Sequence, residues 1–389
     1  MPVMRSEQFG ATRVAALAVV STSAWLSITL LPYEVSTLSE GYHVGPVHAG
    51  WIAAAELLAL AVAASYVGQT VAQRDKRRLT ILGIAIAVAA TIGCLATDRI
   101  ASIIVLRLIF GVGTGIIAAS TNALPALHDT PNRLFAYMQL ALGSVFGLAL
   151  FVVGIVQSFA GREAVFFVEL LFLLMLAPAA LLLPRGIVSS VSSAARGTHR
   201  RLPEGVARSL AALAVMWIAQ GALWGFAATA GAESGVDADS LVHWFSIAGF
   251  TTPLGALAAA TLGDRRGYIG PFILGFATQI FVALAEYCAF SRPLFIAGVL
   301  VSNMTTTFTT PYVQGVLASL DRTGRATALS GAAANFGAAV GPALGATLVG
   351  ETVAPIGVAS SIMFLLGLGL ALSSLRGLVP RSHEGSIDV

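Results

Sequence analysis

Charge is what this chain has least of. Only 11% of its 389 residues are Asp, Glu, Lys or Arg, against roughly a quarter in a soluble domain. Hydrophobic residues make up 57%, and the mean hydropathy is +0.84. A water-soluble globule is excluded. Cysteine is nearly as scarce: Cys94 and Cys288 both lie in apolar runs, which speaks for membrane-buried small residues rather than a disulfide or metal pair. No G-x-x-x-x-G-K-[ST] loop, Ser-His-Asp set or metal-ligand spacing occurs, so nucleotide-driven pumping and enzymatic chemistry are disfavoured, and no cofactor or metal is expected. The net charge of +3 does not imply a nucleic-acid partner. Strand-like alternation is also missing, which excludes a membrane barrel.

What the chain has instead is apolar length. Its apolar runs are long enough to cross a ~30 Å hydrocarbon layer as helices rising ~1.5 Å per residue. Read between charged or Pro/Gly-rich breaks, they predict twelve spans: 13–33, 47–71, 78–97, 100–127, 133–159 and 163–184, then 207–230, 241–262, 268–289, 293–319, 325–350 and 354–376. The first run begins near Val14, is too long for a signal h-region, and is expected to stay as the first membrane helix. The longest break, Arg185 to Arg208, divides an N-terminal six-helix bundle over 1–184 from a C-terminal one over 207–389, with a cytoplasmic linker over 185–206.

With the N-terminus inside, eighteen of the 22 Lys and Arg residues fall on the cytoplasmic side and only Arg99, Arg162 and Arg292 outside. The positive-inside bias therefore predicts that both termini are cytoplasmic. A shift of 192 residues lays Asp129 and Arg133 on Asp321 and Arg325, and Trp25 on Trp217, as a parallel duplication would. The expected fold is an all-α membrane protein of two pseudo-symmetric bundles. Transporters so built hold substrate near the bilayer midplane, between the repeats.

Four stretches carry a family likeness. The fourth predicted span has R-x-x-x-G-x-G-x-G at Arg107, Gly111, Gly113 and Gly115; the eleventh has GAAVGPALGATLVG; GQTVAQRDKRR follows the second, and ATLGDRRG ends the eighth. On these the chain resembles the major facilitator superfamily, in particular its proton-coupled drug and metabolite exporters, over its whole length. The resemblance implies a role for Arg107 in proton transfer or in orienting the cavity. It also implies a cytoplasmic latch, G-x-x-x-D-R-x-G-R-R, which Gly68 and the basic cluster with Arg74 and Arg77 match, although Ala72, Gln73 and Asp75 depart from it. In the second copy Asp264, Arg265 and Gly267 match.

Asp264 is expected to accept N–H groups at a helix N-terminus, and Asp129 to pair with Arg74 or Arg77; a solvated basic loop is the alternative. Gly341, Pro342 and Gly345 are expected to allow close helix approach and a bend, as gate or as plain packing. The fifth span has Gly143, Gly147 and Gly154 without the proline that exporters carry there.

Arg107 lies inside an apolar span, where a charge needs a partner, a water-filled cavity or an anionic ligand. Glu56 in the second span and Glu169 in the sixth are also well inside. Counting from the predicted helix starts sets all three roughly 9–14 Å below the outer boundary, a depth at which they could meet. Spans two and four line the cavity in the resembled fold, and six is peripheral, which makes Glu56 the preferred partner and proton-coupling group. A fixed ion pair is the alternative. Glu34, in LLPYE, is expected near water at the outer end of the first span, a weaker protonation candidate. Glu286 and His243 read as interfacial, with histidine titrating in the physiological range. Val299 occupies the position matching Arg107, so proton chemistry is expected in the N-terminal bundle alone.

Spans one, four, seven and ten of the resembled fold carry Trp25, Asn122, Trp217, Gln220, Trp224, Asn303, Tyr312 and Gln314, which Gln139 and Asn335 can join. Rings with a few amides suit a small, partly apolar organic molecule; lipid contact or core packing is the alternative for each tryptophan. Thr305, Thr306, Thr307, Thr309 and Thr310, before Pro311, predict either a bend or a water-lined face. The expected function is a secondary active transporter, acting as a monomer in the inner (cytoplasmic) membrane, whose partners are protons, a small organic substrate and the bilayer. Efflux stands ahead of uptake of an organic anion bound at Arg107. From another class, a transporter-like sensor without flux also fits.

Overall fold

A computed structural model describes residues 10–71, 74–125, 131–184, 204–262, 267–320 and 325–377, and among these the chain is helical with no strand. The first helix, α1 (Ala11–Gly41), is jointed. Its α-turns pass through a 3-10 turn at Thr22–Trp25 and widen to a π turn at Thr37–Gly41. The joint has a local cause: the hydroxyls of Ser21, Thr22 and Ser23 donate to carbonyls three residues back at 2.6–2.8 Å, competing with the helical ladder. α2 (Gly45–Thr70) opens with Pro46, where a missing N–H costs nothing. α3 (Lys76–Leu95) is capped by Asp75, which accepts from the Arg78 N–H at 3.1 Å. α4 (Ile100–Asn122), α5 (Pro131–Ala160) and α6 (Ala164–Ala180) follow.

α7 (Glu204–Gly225) breaks at Phe226 and resumes over Ala227–Glu233. α8 (Ala238–Leu262) starts where Asp237 accepts from the Ser240 N–H and hydroxyl, both at 2.8 Å, bonds that hold its carboxyl below the usual aspartate range. The remaining helices are α9 (Ile269–Tyr287), α10 (Arg292–Leu320), α11 (Arg325–Leu348) and α12 (Ala354–Ser374). Among the described residues nine segments are long and apolar enough to cross a membrane, one of them running from Tyr137 through α6 to Ala180. α10 and α11 are not among the nine; α10 carries Ser302, Asn303 and its threonine run. The first helix also corrects the sequence expectation: it continues to Gly41 rather than ending near residue 33, which draws Glu34 inside.

Contacts between links define two ends. Arg162, before α6, pairs with Asp98, before α4, and donates to the Gly41 carbonyl at 3.5 Å. Glu233 accepts from the Val353 N–H at 3.2 Å, and Arg292 pairs with Asp237 at 3.6 Å. Gly50 of α2 lies against Ala346 and Phe226, so both groups of links share one distal end. Residues 10 and 377 lie at the opposite, terminal end.

The α1–α6 and α7–α12 sets meet distally. The Trp224 indole N–H donates to the Ile28 carbonyl at 2.7 Å, and Tyr33 meets Phe245 edge-on with ring centres 6.0 Å apart. α5 and α8 touch backbone to backbone, since a Cβ on Gly249 would stand 2.6 Å from the Gly147 Cα. Further along the same stripes towards the terminal end, Leu140 of α5 and Leu257 of α8 are 56% and 60% exposed. The α5–α8 seam is thus closed distally and open terminally. Gly249→Leu would wedge it apart and cost about 1–3 kcal/mol; thermal unfolding in detergent should show a lowered midpoint, and an unchanged one would refute the close approach.

Candidate functional site

Close approach of α4 to its neighbours positions the site. A Cβ on Gly113 would come within 2.8 Å of the Gly83 carbonyl and the Ala87 nitrogen on α3. Gly111 and Gly115 likewise face the α2 backbone at Glu56 and Leu60. Small residues at this spacing let α4 wedge between α2 and α3. Arg107, one turn before Gly111, is thereby carried against Glu56.

The structure brings four charged groups together where the sequence favoured two. Arg107 Nε donates to Glu56 Oε2 at 2.6 Å and to Glu34 Oε1 at 3.0 Å. Its Nη1 donates to Glu169 Oε2 at 2.6 Å, and Nη2 reaches Glu34 Oε2, Glu56 Oε1 and Glu169 Oε1, each at 2.9 Å. The Phe110 ring lies 4.3 Å from the guanidinium carbon and Phe166 lies 5.5 Å away, within cation–π range. All four charged residues are 0–1% exposed.

Two expectations need correcting. Glu34 is not near water but sealed inside, because α1 continues past it. Glu169 is an equal partner of Arg107, because the start of α6 faces inward at this depth.

The charge balance sets what this cluster can do. With all three carboxyls ionised, one guanidinium would leave a net charge of −2 on fully buried groups. Each uncompensated buried ion costs several kcal/mol. Protons on carboxylate oxygens are the smallest ligands that would remove this charge.

The remaining candidates are dispersed. Gln220 donates to Ser302 Oγ at 3.2 Å and accepts from Thr306 at 3.0 Å, while Gln279 donates to Thr306 at 3.2 Å. Sequence reading missed Gln279, whose signal was an amide midway along an apolar run. Trp217 Nε1, Asn303 Nδ2 and Gln279 Oε1 are buried atoms without a hydrogen-bond partner. Trp224 sits in the distal seam beside Phe146 and Phe245. Tyr312 donates to the Ala259 carbonyl at 3.3 Å, and Gln314 to Ser330 at 3.4 Å. Trp25 packs beside the Leu17–Leu134 cluster; Asn122 and Gln139 are exposed, and Asn335 is half-buried.

Asp129, Asp264 and Arg265 of the expected latch lie outside the described residues. Gly68 and Arg74 are exposed, Arg77 is half-buried, and Gly267 has φ +68°. Gly341 and Gly345 pack α11 on α7, with Pro342 between them. The α10 threonine hydroxyls donate to carbonyls four residues back. Glu286, expected at the interface, is 3% exposed with its carboxyl against Gly298, because α9 keeps its last turn inside. His243 is exposed, its Nδ1 2.6 Å from the Asp239 carbonyl oxygen.

Fold and site together define a multi-pass helical membrane protein with a sealed ion cluster in its α1–α6 set. No family model matches the sequence, and no curated protein matches it. The structure is similar to that of a mutant of the nucleoside transporter NupG, with a TM-score of 0.71, 14% identity and coverage of 94% of this chain and 99% of that one. It is also similar to the human organic anion transporter MFSD10 (TETRAN), with a TM-score of 0.69, 16% identity and coverage of 95% and 100%. At such identities the likeness is one of fold, and the fold is one that membrane transporters use.

Removing the arginine should expose the charge balance. Arg107→Leu leaves three facing carboxyls, a loss of about 3–5 kcal/mol at neutral pH. The deficit should narrow near about pH 4, where carboxyls enter the folded state neutral. Thermal midpoints of parent and variant at both pH values check this, and a deficit that does not vary with pH would contradict it.

Proposed function

We propose that the chain is a proton-coupled secondary active transporter of the major facilitator architecture, moving a small organic molecule by alternating access. In this reading twelve spans form two six-helix bundles over 1–184 and 207–389, joined by the 185–206 linker, with both termini cytoplasmic in the inner membrane. The observation that carries it is the sealed Arg107–Glu34–Glu56–Glu169 cluster. Its carboxyls stand on α1, α2 and α6 and its guanidinium on α4, so a shift among these helices changes how many carboxyls share one cation, and with it the proton occupancy. The positive-inside bias puts the terminal end in the cytoplasm, and the α5–α8 seam then belongs to an inward-open form.

Every nitrogen of Arg107 is engaged by glutamate. The cluster therefore drives transport rather than binding cargo, which favours this reading over uptake of an organic anion held at Arg107. The buried amides and hydroxyls of α7, α9 and α10 form the candidate cargo surface. A nucleoside transporter among the structural neighbours fits a hydrogen-bonding organic cargo. Efflux keeps its place ahead of uptake through the exporter resemblance alone. A sensor without flux need not retain a sealed, titratable cluster.

Proteoliposomes given a panel of organic compounds, with and without a pH gradient, test the proposal. A compound that exchanges in counterflow should accumulate when the gradient is imposed. Glu56→Gln should abolish that accumulation while sparing counterflow. Accumulation unchanged in Glu34→Gln, Glu56→Gln and Glu169→Gln would exclude proton coupling through the cluster.

A further inference from the structure

A second feature lies distal to the cluster on two of its helices. A cavity of 420 Å³ opens at the distal end between α1, α5 and α6, lined among others by Tyr33, Thr37, Glu40, Gln157, Arg162 and Val165. Two of these residues share helix faces with the cluster. Thr37 lies three residues beyond Glu34 on α1, and Val165 four residues before Glu169 on α6. The lining therefore reaches positions about one helical turn, roughly 5 Å of backbone rise, distal to two of the three glutamates.

The lining suits water. Glu40, Gln157 and Arg162 form an exposed polar rim. Arg162 is steadied by Asp98, by the Gly41 carbonyl and by the Tyr42 ring 4.7 Å from its guanidinium carbon. Deeper in, the wall includes Tyr33, 8% exposed, whose ring also meets Phe245. Ordered water needs two to four polar partners, and Thr37, Glu40, Gln157 and Arg162 of the lining offer them. At ~30 Å³ per molecule the space takes on the order of a dozen waters. The cluster itself offers no exposed surface.

We propose that this cavity is a proton vestibule: a water-filled entrance from the distal face, through the α1–α6 set alone, to Glu34 and Glu169. It rests on the proton-coupled reading above and goes beyond it by giving the proton a route apart from the cleft in which cargo moves. The groups that set its pH response are Tyr33, Glu34 and Glu40 of α1, Tyr42 after it, Glu56 of α2, Cys94 of α3 and Asp98 after it, Arg107 of α4, and Arg162, Glu163 and Glu169 at and within α6. Only a proton moves, from hydronium through water to a carboxylate oxygen.

Stopped-flow proton release tests the vestibule. Purified protein is stepped to higher pH with a pH-indicating dye, and the cluster's phase is the one missing from the Glu34→Gln/Glu56→Gln/Glu169→Gln triple variant. In Gln157→Cys, changed at an exposed rim position, a bulky maleimide should slow that phase at least tenfold without altering its amplitude. The same reagent on the parent, whose cysteines are the buried Cys94 and half-buried Cys288, should leave the rate unchanged. An unaltered rate in the modified variant, with the phase still absent from the triple variant, overturns the vestibule and spares the coupling reading. A triple variant that keeps the phase overturns both.

Discussion

One guanidinium among three carboxylates, out of reach of solvent, is the constraint on which the rest of the structure turns. Charges so placed are tolerated only if they compensate one another. Four helices must therefore arrive at one point with their side chains in register. The glycine stripe of α4 admits Arg107 between α2 and α3, the prolongation of α1 to Gly41 keeps Glu34 within the helix, and the inward face of α6 supplies Glu169. The excess of carboxyl over guanidinium is what the proposed proton coupling rests on.

The α7–α12 set is built differently. Val299 stands where the 192-residue shift would put an arginine, and the buried polar groups at mid-depth are amides and hydroxyls: Gln220, Gln279, Ser302 and Thr306. Neutral groups hydrogen-bond an organic molecule without a standing charge to compensate. The distal contacts, Trp224 on Ile28 and Tyr33 on Phe245, tie the two sets at the end where the α1–α5–α6 cavity opens. Tyr33 belongs to both features, so separation of the sets at this end would reshape the cavity wall.

Much of the helical frame was legible in the sequence because apolar run length is a direct consequence of the solvent the chain lives in. Ends were less so. The hydroxyl-driven joint near Ser21 and the continuation to Gly41 depend on local hydrogen bonding that run length does not record, and the misplacement of Glu34 followed from that. Depth counting put Glu56, Arg107 and Glu169 at one level, yet ranking Glu169 behind Glu56 relied on the position of whole helices rather than on the direction of one side chain. The cargo candidates were chosen by residue type, mainly on four chosen spans, and type does not report surroundings: Asn122 and Gln139 are exposed, Trp224 went to the seam, and Gln279 was passed over on a span outside those four.

The central claim is that protons balance the buried carboxyls around Arg107. Infrared spectroscopy of the purified protein at neutral pH measures this directly, because protonated and ionised carboxyls absorb in separate bands. The account predicts a protonated-carboxyl band that loses intensity or shifts when Glu34, Glu56 or Glu169 is changed singly to glutamine. A band indifferent to all three substitutions would contradict it, since the cluster would then hold its carboxyls ionised and exchange no protons.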